Sequence, residues 1–535
     1  MTESSHDVLI VGAGPAGLAA ALHLKRHHPD LTIALLEKSA RIGAHLLSGA
    51  LLDPHDLLPL LSPEEIATAP LGPEVIHETL LHLTRHHAIP LPHGWSHRGC
   101  RMLALGSFCR WLAGLAEQAG VEIYPGFAAR ELLWEGERLL GIRTGDQGVN
   151  GRGEPGPGFE PGLAMHAPVT ILAEGCRGHL TGQAIRKLDL KRGRPPQTHG
   201  LGFKELWEIP TDRTVAGVVH TLGWPLAGSQ HGGGFLYPVA PGRLAIGWVV
   251  GLDYRDPWFD PFVAFQQWKN HPRIRARLVR GQPLAFGARA LVEGGWQCLP
   301  RLEFDGGVLI GDAAGFLDAA RLKGIGNAIR SGVAAAEGVI AAFETGDFTA
   351  AGLRGYPDRV EASAWMARLK EVRNVRPGFR AGWLPGLVNA AWERFSRGRS
   401  PWSWRWSIAD RARLQEVTPD RSPPTMPAPA PWILDRSTAL ALSAIRHRHD
   451  QPCHLRVQDP ERLANAGRTR FANPETRYCP AGVYEARCPP EVERTVTRIR
   501  AERCLHCKCC DIKDPLDTLV WTPPEGGSGP DYGAM

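Results

Sequence analysis

Gly12-Ala13-Gly14-Pro15-Ala16-Gly17 follows a short apolar run, Asp7 to Val11, and opens an Ala/Leu-rich stretch from Pro15 to Arg26. Nothing else in the chain restricts the fold as much. A strand, a glycine turn and a helix in immediate succession begin a βαβ unit of a doubly wound α/β fold. The first glycine permits the tight turn, the second lets backbone approach a pyrophosphate, and the third lets helix pack close to strand. The helix N-terminus adds a positive end that attracts phosphate. A second strand, Leu31 to Leu36, runs into Glu37, about twenty residues beyond Gly17, where a carboxylate reaches ribose hydroxyls.

A second half-motif decides between dinucleotides. Val308-Leu309-Ile310 reads as a strand, and Gly311-Asp312-Ala313-Ala314-Gly315 follows it. An aspartate there can hydrogen-bond a ribityl hydroxyl; an ordinary helix cap is the other reading of Asp312. Two half-sites far apart in sequence suit FAD, which is longer than NAD. Lys323-Gly324-Ile325-Gly326-Asn327 then starts a helix running to about Phe343. Its N-terminus can face the pyrimidine edge of a flavin and stabilise an anionic reduced ring. Gly12, Gly14, Gly17, Glu37, Gly311, Asp312 and Gly324 are the cofactor-binding residues expected on these grounds.

Near the other end stand Cys504-Leu505-His506-Cys507-Lys508-Cys509-Cys510, with Cys479-Pro480 upstream. Two successive Cys-x-x-Cys steps put three thiols in one wrap of backbone. A distant Cys-Pro can supply the fourth ligand of an iron–sulfur cubane, as in bacterial ferredoxins. Zinc is the rival, since tetrahedral thiolate sites also use Cys-x-x-Cys pairs, though they usually separate two of them. Cys479, Cys504, Cys507 and Cys510 are the expected metal ligands, with Cys488-Pro489 competing for the place of Cys479. Cys509 is out of step and is expected to point away from the cluster. Cys100, Cys109, Cys176, Cys298 and Cys453 are scattered and read as buried packing residues.

Composition narrows the class. A 43% hydrophobic and 22% charged chain of 535 residues is that of a folded protein of about two to four domains. The net charge of +6 favours anionic lipid or an acidic protein partner and is too weak to argue for nucleic acid. Seven of the eleven cysteines lie after residue 450, which points to metal in a reducing compartment rather than to a disulfide scaffold. The N-terminus offers no apolar signal core and no Arg/Ser-rich transit peptide. No run of about 18 apolar residues occurs, so no spanning helix is expected.

Between the two motifs, Phe108 to Gln118 reads as a helix, and Val121 to Tyr124 and Val169 to Ala173 read as strands. The Gly/Pro-rich stretch 144–163 is expected as a surface excursion. From Gly200 to Gly251, aromatic and β-branched runs suggest a mostly antiparallel sheet for a second ligand. Six prolines between Pro419 and Pro431 mark a semi-rigid linker. The boundaries expected are 1–199 and 301–345 for the dinucleotide domain, 200–300 for the sheet domain, 346–418 for a helical region, 419–440 for the linker and 441–535 for the cluster domain.

These residues make the chain resemble the electron transfer flavoprotein–ubiquinone oxidoreductase family along almost its whole length. The likeness is carried by Gly12 to Gly17, Glu37-Lys38, Ile42 to His45, Leu47 to Gly49, Ala173 to Leu180, and Lys204 to Trp207. It continues through Gly232 to Tyr237, Gly251 to Tyr254, Gly287 to Ala290, Arg373 to Pro377, His449 to Pro452, Tyr478 to Glu485 and Cys507 to Pro515. The resemblance implies an α/β fold with a Rossmann-like FAD domain, an antiparallel-sheet quinone domain and a C-terminal ferredoxin-like 4Fe-4S domain. It implies single electrons taken from reduced electron transfer flavoprotein and passed in pairs to ubiquinone, approached at Gly232 and Gly233, where a simple strand bend is the plainer reading. It adds Lys38 and Asn327 to the flavin site.

Departures are visible: His231 stands where the family commonly has tyrosine, Gly326-Asn327 replaces a His-Thr pair, and Cys509 replaces a smaller polar residue. Against the family Ala104 replaces an arginine near the flavin, and whether Arg101 compensates is left open by the sequence. The resemblance also implies monotopic attachment through segments near 75–92 and 379–406. The second segment holds five tryptophans, Trp383 to Trp406, interleaved with Arg394, Arg397, Arg399 and Arg405. Indole rings favour the headgroup boundary and guanidiniums reach lipid phosphates; packing on the protein's own core is the alternative. A monomer on the cytoplasmic face of a bacterial inner membrane is the expectation. The rival functions are an FAD-dependent reductase of the geranylgeranyl type, acting on an isoprenoid double bond, and a membrane-attached binding module with structural zinc.

Overall fold

The computed structural model describes residues 3–49, 51–92, 95–213, 217–228, 230–405, 407–418, 421–487, 496–533 and 535. Trp406, Pro419 and the Cys488-Pro489 pair fall outside the described residues.

Val8–Val11 is buried along its whole length because it lies in the middle of a six-stranded sheet. The order runs Glu303–Phe304, Gly307–Leu309, Val169–Leu172, Val8–Val11, Ile33–Glu37, Glu122–Pro125, and only the first pairing is antiparallel. Parallel strands covered on both faces read as continuous apolar runs, as these do. From Val8–Val11 the chain passes to Ile33–Glu37 on one side and later to Val169–Leu172 on the other. That reversal leaves a crevice at the carboxyl ends of the strands. Helices Pro15–His27 and Ile325–Thr345 pack closely there: a Cβ at Gly332 would lie 2.3 Å from the Ala16 carbonyl oxygen.

A seven-stranded sheet forms the second body, in the order Gln282–Val292, His199–Glu208, Arg243–Gly251, Gly232–Ala240, Val218–Gly223, Glu78–Leu83, Ala88–Leu91. All its pairings are antiparallel except Val218–Gly223 with Glu78–Leu83. Thus the 75–92 segment, expected only as a membrane-surface stretch, also supplies the two strands at one edge of the sheet. One face is sealed by helix Pro261–Asn270, whose Trp268 indole donates to Thr221 Oγ1 at 2.9 Å. The other face borders the crevice.

The C-terminal segment carries two small antiparallel pairs, Leu455–Val457 with Leu519–Trp521 and Tyr484–Arg487 with Val496–Ile499. It is bound to the rest by main-chain contacts, including Ala290 N–H to the Cys507 carbonyl at 3.1 Å. The stretch 144–163, read as a surface excursion, forms a hairpin of Gln147–Val149 and Pro155–Glu160. It rests on this segment, Gly151 N–H donating to Asp450 at 2.7 Å. The proline-rich linker is pinned across Pro261–Asn270, through Trp432 to Asn270 and Leu434 N–H to Gln266. Among the described residues, no helix is long and apolar enough to cross a membrane.

Candidate functional site

The three glycines of the first turn do three different things. Gly12 has φ +109°, and a Cβ there would meet the Ala173 carbonyl at 2.5 Å. A Cβ on Gly17 would lie 2.1 Å from the Gly12 carbonyl, so helix and strand touch. At Gly14 an added Cβ meets nothing within 4 Å: the space above it belongs to a cavity. The free amides of the first helical turn face that space, which suits a pyrophosphate. Glu37, at the end of its strand, accepts from Ala13 N–H at 3.1 Å and from Ser39 N–H at 2.9 Å, so its carboxylate is held beside the turn.

The cavity has a volume of about 1360 Å³. Gly12, Gly14, Glu37, Lys38, Gly311, Asp312 and Gly324 line it, and so do Gly232 and Gly233 at a distance along the sheet. Asp312 caps no helix: the short helix Gly311–Ala314 has Ile310 at its N-cap with no side-chain bond. Burial raises the Asp312 carboxyl to about 6, against the pull of Arg289. Burial also lowers the Lys38 ammonium to about 7, with Glu37 opposing.

Asn327 is not brought to the wall. Its amide donates to the Phe316 carbonyl at 2.9 Å, tying down the turn after Gly315, while Gly324, Ile325 and Ala328 face the cavity. Its neighbour Gly326 has no room for a side chain, since a Cβ would fall 1.9 Å from Asp56. Arg101 does not stand in for Ala104 either; its Nε donates to the Gly72 carbonyl at 2.7 Å. His231 lines the cavity against Phe379, rings 4.9 Å apart, and burial beside Arg376 keeps it neutral.

At Gly232 and Gly233 the missing side chains have a second cause. Added Cβ atoms would meet the Val249 carbonyl at 2.0 Å and the Thr221 carbonyl at 2.1 Å. Neighbouring strand backbone, and not only a ligand, keeps these positions glycine. Past them the cavity reaches the inner side of helix Trp383–Ser396, at Leu387, Ala390, Ala391 and Arg394. Trp383, Leu384 and Trp392 on that helix are exposed away from the cavity, and Val388 and Phe395 are exposed at its mouth, Phe395 at 84%. His82 of the edge hairpin stacks on Trp383, ring centroids 4.3 Å apart. The two segments expected at a membrane surface are therefore neighbours.

Cys479, Cys504, Cys507 and Cys510 converge on a second, small cavity together with Tyr484. Burial pushes all four thiols up, Cys507 to about 12. Thiolates can form in so dry a pocket only beside a positive centre that takes up their charge, which fits an iron–sulfur cubane. Main-chain N–H groups already point at two of the sulfurs, Val483 at Cys479 and His506 at Cys504, at 3.5 and 3.4 Å. Cys509 departs from expectation: it is fully buried and borders this same cavity, because left-handed Lys508, φ 63°, turns the chain back as the next helix starts. Cys453 also departs, being exposed, whereas Cys100, Cys109, Cys176 and Cys298 are buried.

The two cavities share Lys508, whose Nζ donates to the Arg177 carbonyl at 2.7 Å and sits 4.6 Å from the Trp521 ring. His45, Arg289, Lys508 and Trp521, all on the flavin-side wall, escaped sequence reasoning because they come from four distant stretches.

Residues 432–533 match the family described as electron transfer flavoprotein-ubiquinone oxidoreductase, 4Fe-4S, and residues 199–291 match ETF-QO, ubiquinone-binding. Residues 10–78 match an NAD(P)-binding Rossmann-like domain. The mitochondrial electron transfer flavoprotein-ubiquinone oxidoreductase of Bos taurus is 41% identical over 549 residues, 99% of this chain and 89% of that protein. The protein of the same name from Oryza sativa subsp. japonica is 39% identical over 541 residues, 99% of this chain and 93% of its own length. Among solved structures, a geranylgeranyl bacteriochlorophyll reductase-like protein from Thermoplasma acidophilum aligns with TM-score 0.55. It covers 76% of this chain and 93% of its own, at 17% identity, a likeness of fold alone. Full-length identity of this degree, together with the cluster and quinone domain matches, places the chain in the electron transfer flavoprotein–ubiquinone oxidoreductase family.

Proposed function

We propose that this chain takes single electrons from reduced electron transfer flavoprotein and delivers them in pairs to ubiquinone at a membrane surface. FAD and a [4Fe–4S] cluster, when bound, supply the one- and two-electron redox chemistry. The observation that carries the reading is the continuous cavity, which runs from Gly14 and Asp312 past Gly232 and Gly233 to the helix Trp383–Ser396, with the four cysteines just behind Lys508. A dinucleotide and a long-tailed quinone can enter one such space from opposite ends.

The residues divide the work. Gly12, Gly14 and Gly17 with Glu37 hold the dinucleotide, Asp312 and the Gly324 end of the long helix hold its flavin half, and Cys479, Cys504, Cys507 and Cys510 hold the cluster. Arg289 and Lys508, with a partial contribution from Lys38, gather positive charge where flavin and cluster meet, favouring the reduced, more negative state of each. The apolar outer face of Trp383–Ser396 and the basic tip of the edge hairpin at Arg85 support monotopic attachment. We assign a monomer on the cytoplasmic face of a bacterial inner membrane, where the surroundings keep the thiols reduced. The test is anaerobic purification with assay of iron, sulfide and flavin, followed by reaction with reduced electron transfer flavoprotein and ubiquinone. Zinc in place of iron and sulfide, or flavin that the flavoprotein does not reduce, would overturn the reading.

A further inference from the structure

Reducing a quinone needs two protons as well as two electrons, and the wall of the cavity holds a group built to supply them. Glu78, His97, His220 and Tyr237 border it on the sheet's edge, with side-chain exposures of 6%, 7% and 11% for the first three. Register puts Leu80 opposite His220 and His220 opposite Phe235, so Glu78, His220 and Tyr237 share the face that carries Gly233.

The hydrogen bonds fix where protons can be. His97 Nε2 lies 2.8 Å from the Arg321 carbonyl, which only accepts, so this nitrogen carries a hydrogen. Its Nδ1 lies 2.5 Å from Glu78 Oε1, and the His97 N–H donates to Glu78 Oε2 at 3.0 Å. One proton is therefore shared by Glu78 and His97. Burial raises the Glu78 carboxyl, but bonds from His220 and His97 override it and hold the group well below the usual carboxylate range. On the other side His220 Nδ1 stands 3.4 Å from the same Oε1, and its Nε2 is 2.6 Å from the Tyr237 hydroxyl. Cys100 also faces the group, its thiol raised to about 11 by burial, with Lys323 and Asp53 behind it.

We infer that Glu78 and His97 store a proton and that His220 with Tyr237 passes it to quinone bound in the cavity. This rests on the function proposed above. The flavin, when bound, would supply the two electrons; two O–H bonds form at the quinone oxygens, each proton crossing the relay in turn, and the N–H or O–H bonds broken along it are remade by protons taken up from solvent. His97 Nε2 and His220 Nε2 already have partners outside the group, and both Nδ1 atoms face the same Glu78 oxygen, as a relay requires.

Glu78→Gln is the test. Quinone reduction should slow roughly 100-fold, the low end of what a positioned acid contributes, while flavin content and reduction by electron transfer flavoprotein stay unchanged. Glu78→Asp, which keeps the exchangeable proton, should recover most of the rate and serves if the glutamine variant fails to fold. Infrared spectra of the quinone-free protein, labelled at histidine, should show an imidazolium band that Glu78→Gln removes. Unchanged quinone reduction, an equal loss in both half-reactions, no imidazolium band, or a stoichiometric metal on these residues would each overturn the relay. A wild-type protein inactive with both partners would sink the functional reading instead, and the infrared result would still judge the shared proton.

Discussion

The two ends of the cavity use glycine for opposite reasons. At Gly14 an added Cβ would stand in open space, whereas at Gly233 it would strike the Thr221 carbonyl at 2.1 Å. The first glycine leaves room for a ligand and the second leaves room for another strand. Identical residues in equally recognisable motifs thus carry different meanings, and only the surroundings separate them. The flavin end is a local device, a turn and a helix start. The quinone end is assembled from the sheet, its edge hairpin and a helix from much later in the chain.

If that contrast is right, Gly14→Val should give a folded protein almost devoid of FAD, because the isopropyl group fills the pyrophosphate space without meeting protein. Near-stoichiometric flavin in the purified variant would break the comparison. Cys507→Ala should be as complete at the other cofactor, removing the cluster's electron paramagnetic resonance signal while FAD remains bound, since the thiols come from the C-terminal segment. Gly233→Val should instead lower stability, by about 1–3 kcal/mol or more for a forced contact, since no flexible side chain is there to yield. A thermal melt equal to wild type, with only a raised quinone requirement, would show that Gly233 serves the ligand alone.

Legibility followed the same division. The βαβ opening, the Gly311-Asp312 return and the Cys504-Cys507-Cys510 run were readable because each motif is contiguous and its geometry local, while the distant Cys479 was marked by the proline that follows it. The strand Glu78–Leu83 was not readable, because it enters the sheet by pairing in parallel with Val218–Gly223, far along the chain, and its hairpin with Ala88–Leu91 does not reveal which sheet it joins. For the same reason Glu78, His97 and His220 looked unrelated. Asn327, added to the flavin site by the resemblance alone, turns its amide to the Phe316 carbonyl, and one residue further on Ala328 faces the cavity. Cys509 was misjudged because spacing alone does not reveal the left-handed step at Lys508.

The apolar helix offers an intermediate effect. Leu387 and Val388 border the cavity, so the outward set to replace with Ser is Trp383, Leu384 and Trp392. Each such side chain contributes about 1.5–3 kcal/mol when fully withdrawn from water. Their joint loss should release the protein from anionic liposomes and leave activity with a water-soluble quinone analogue largely intact. Unchanged sedimentation of the folded variant with liposomes would reject this helix as the anchor and return it to the protein's own core.

Cys509→Ser should be the mildest change and the finest probe of the cluster end. Cys509 is fully buried beside the four cysteines proposed as ligands, yet its place at the start of helix Cys509–Lys513 gives it no step in the Cys-x-x-Cys series. Four thiolates complete a cubane, so a fifth sulfur is surplus to ligation. Serine is smaller and more polar, and placing its hydroxyl in an apolar wall costs about 1–3 kcal/mol unless a partner is found. The expected result is a cluster signal of normal intensity, full FAD content and a slightly lower melting temperature. Loss of the signal in Cys509→Ser, with the signal kept in Cys510→Ser, would exchange the two residues' roles and move the fourth corner of the cluster by one position.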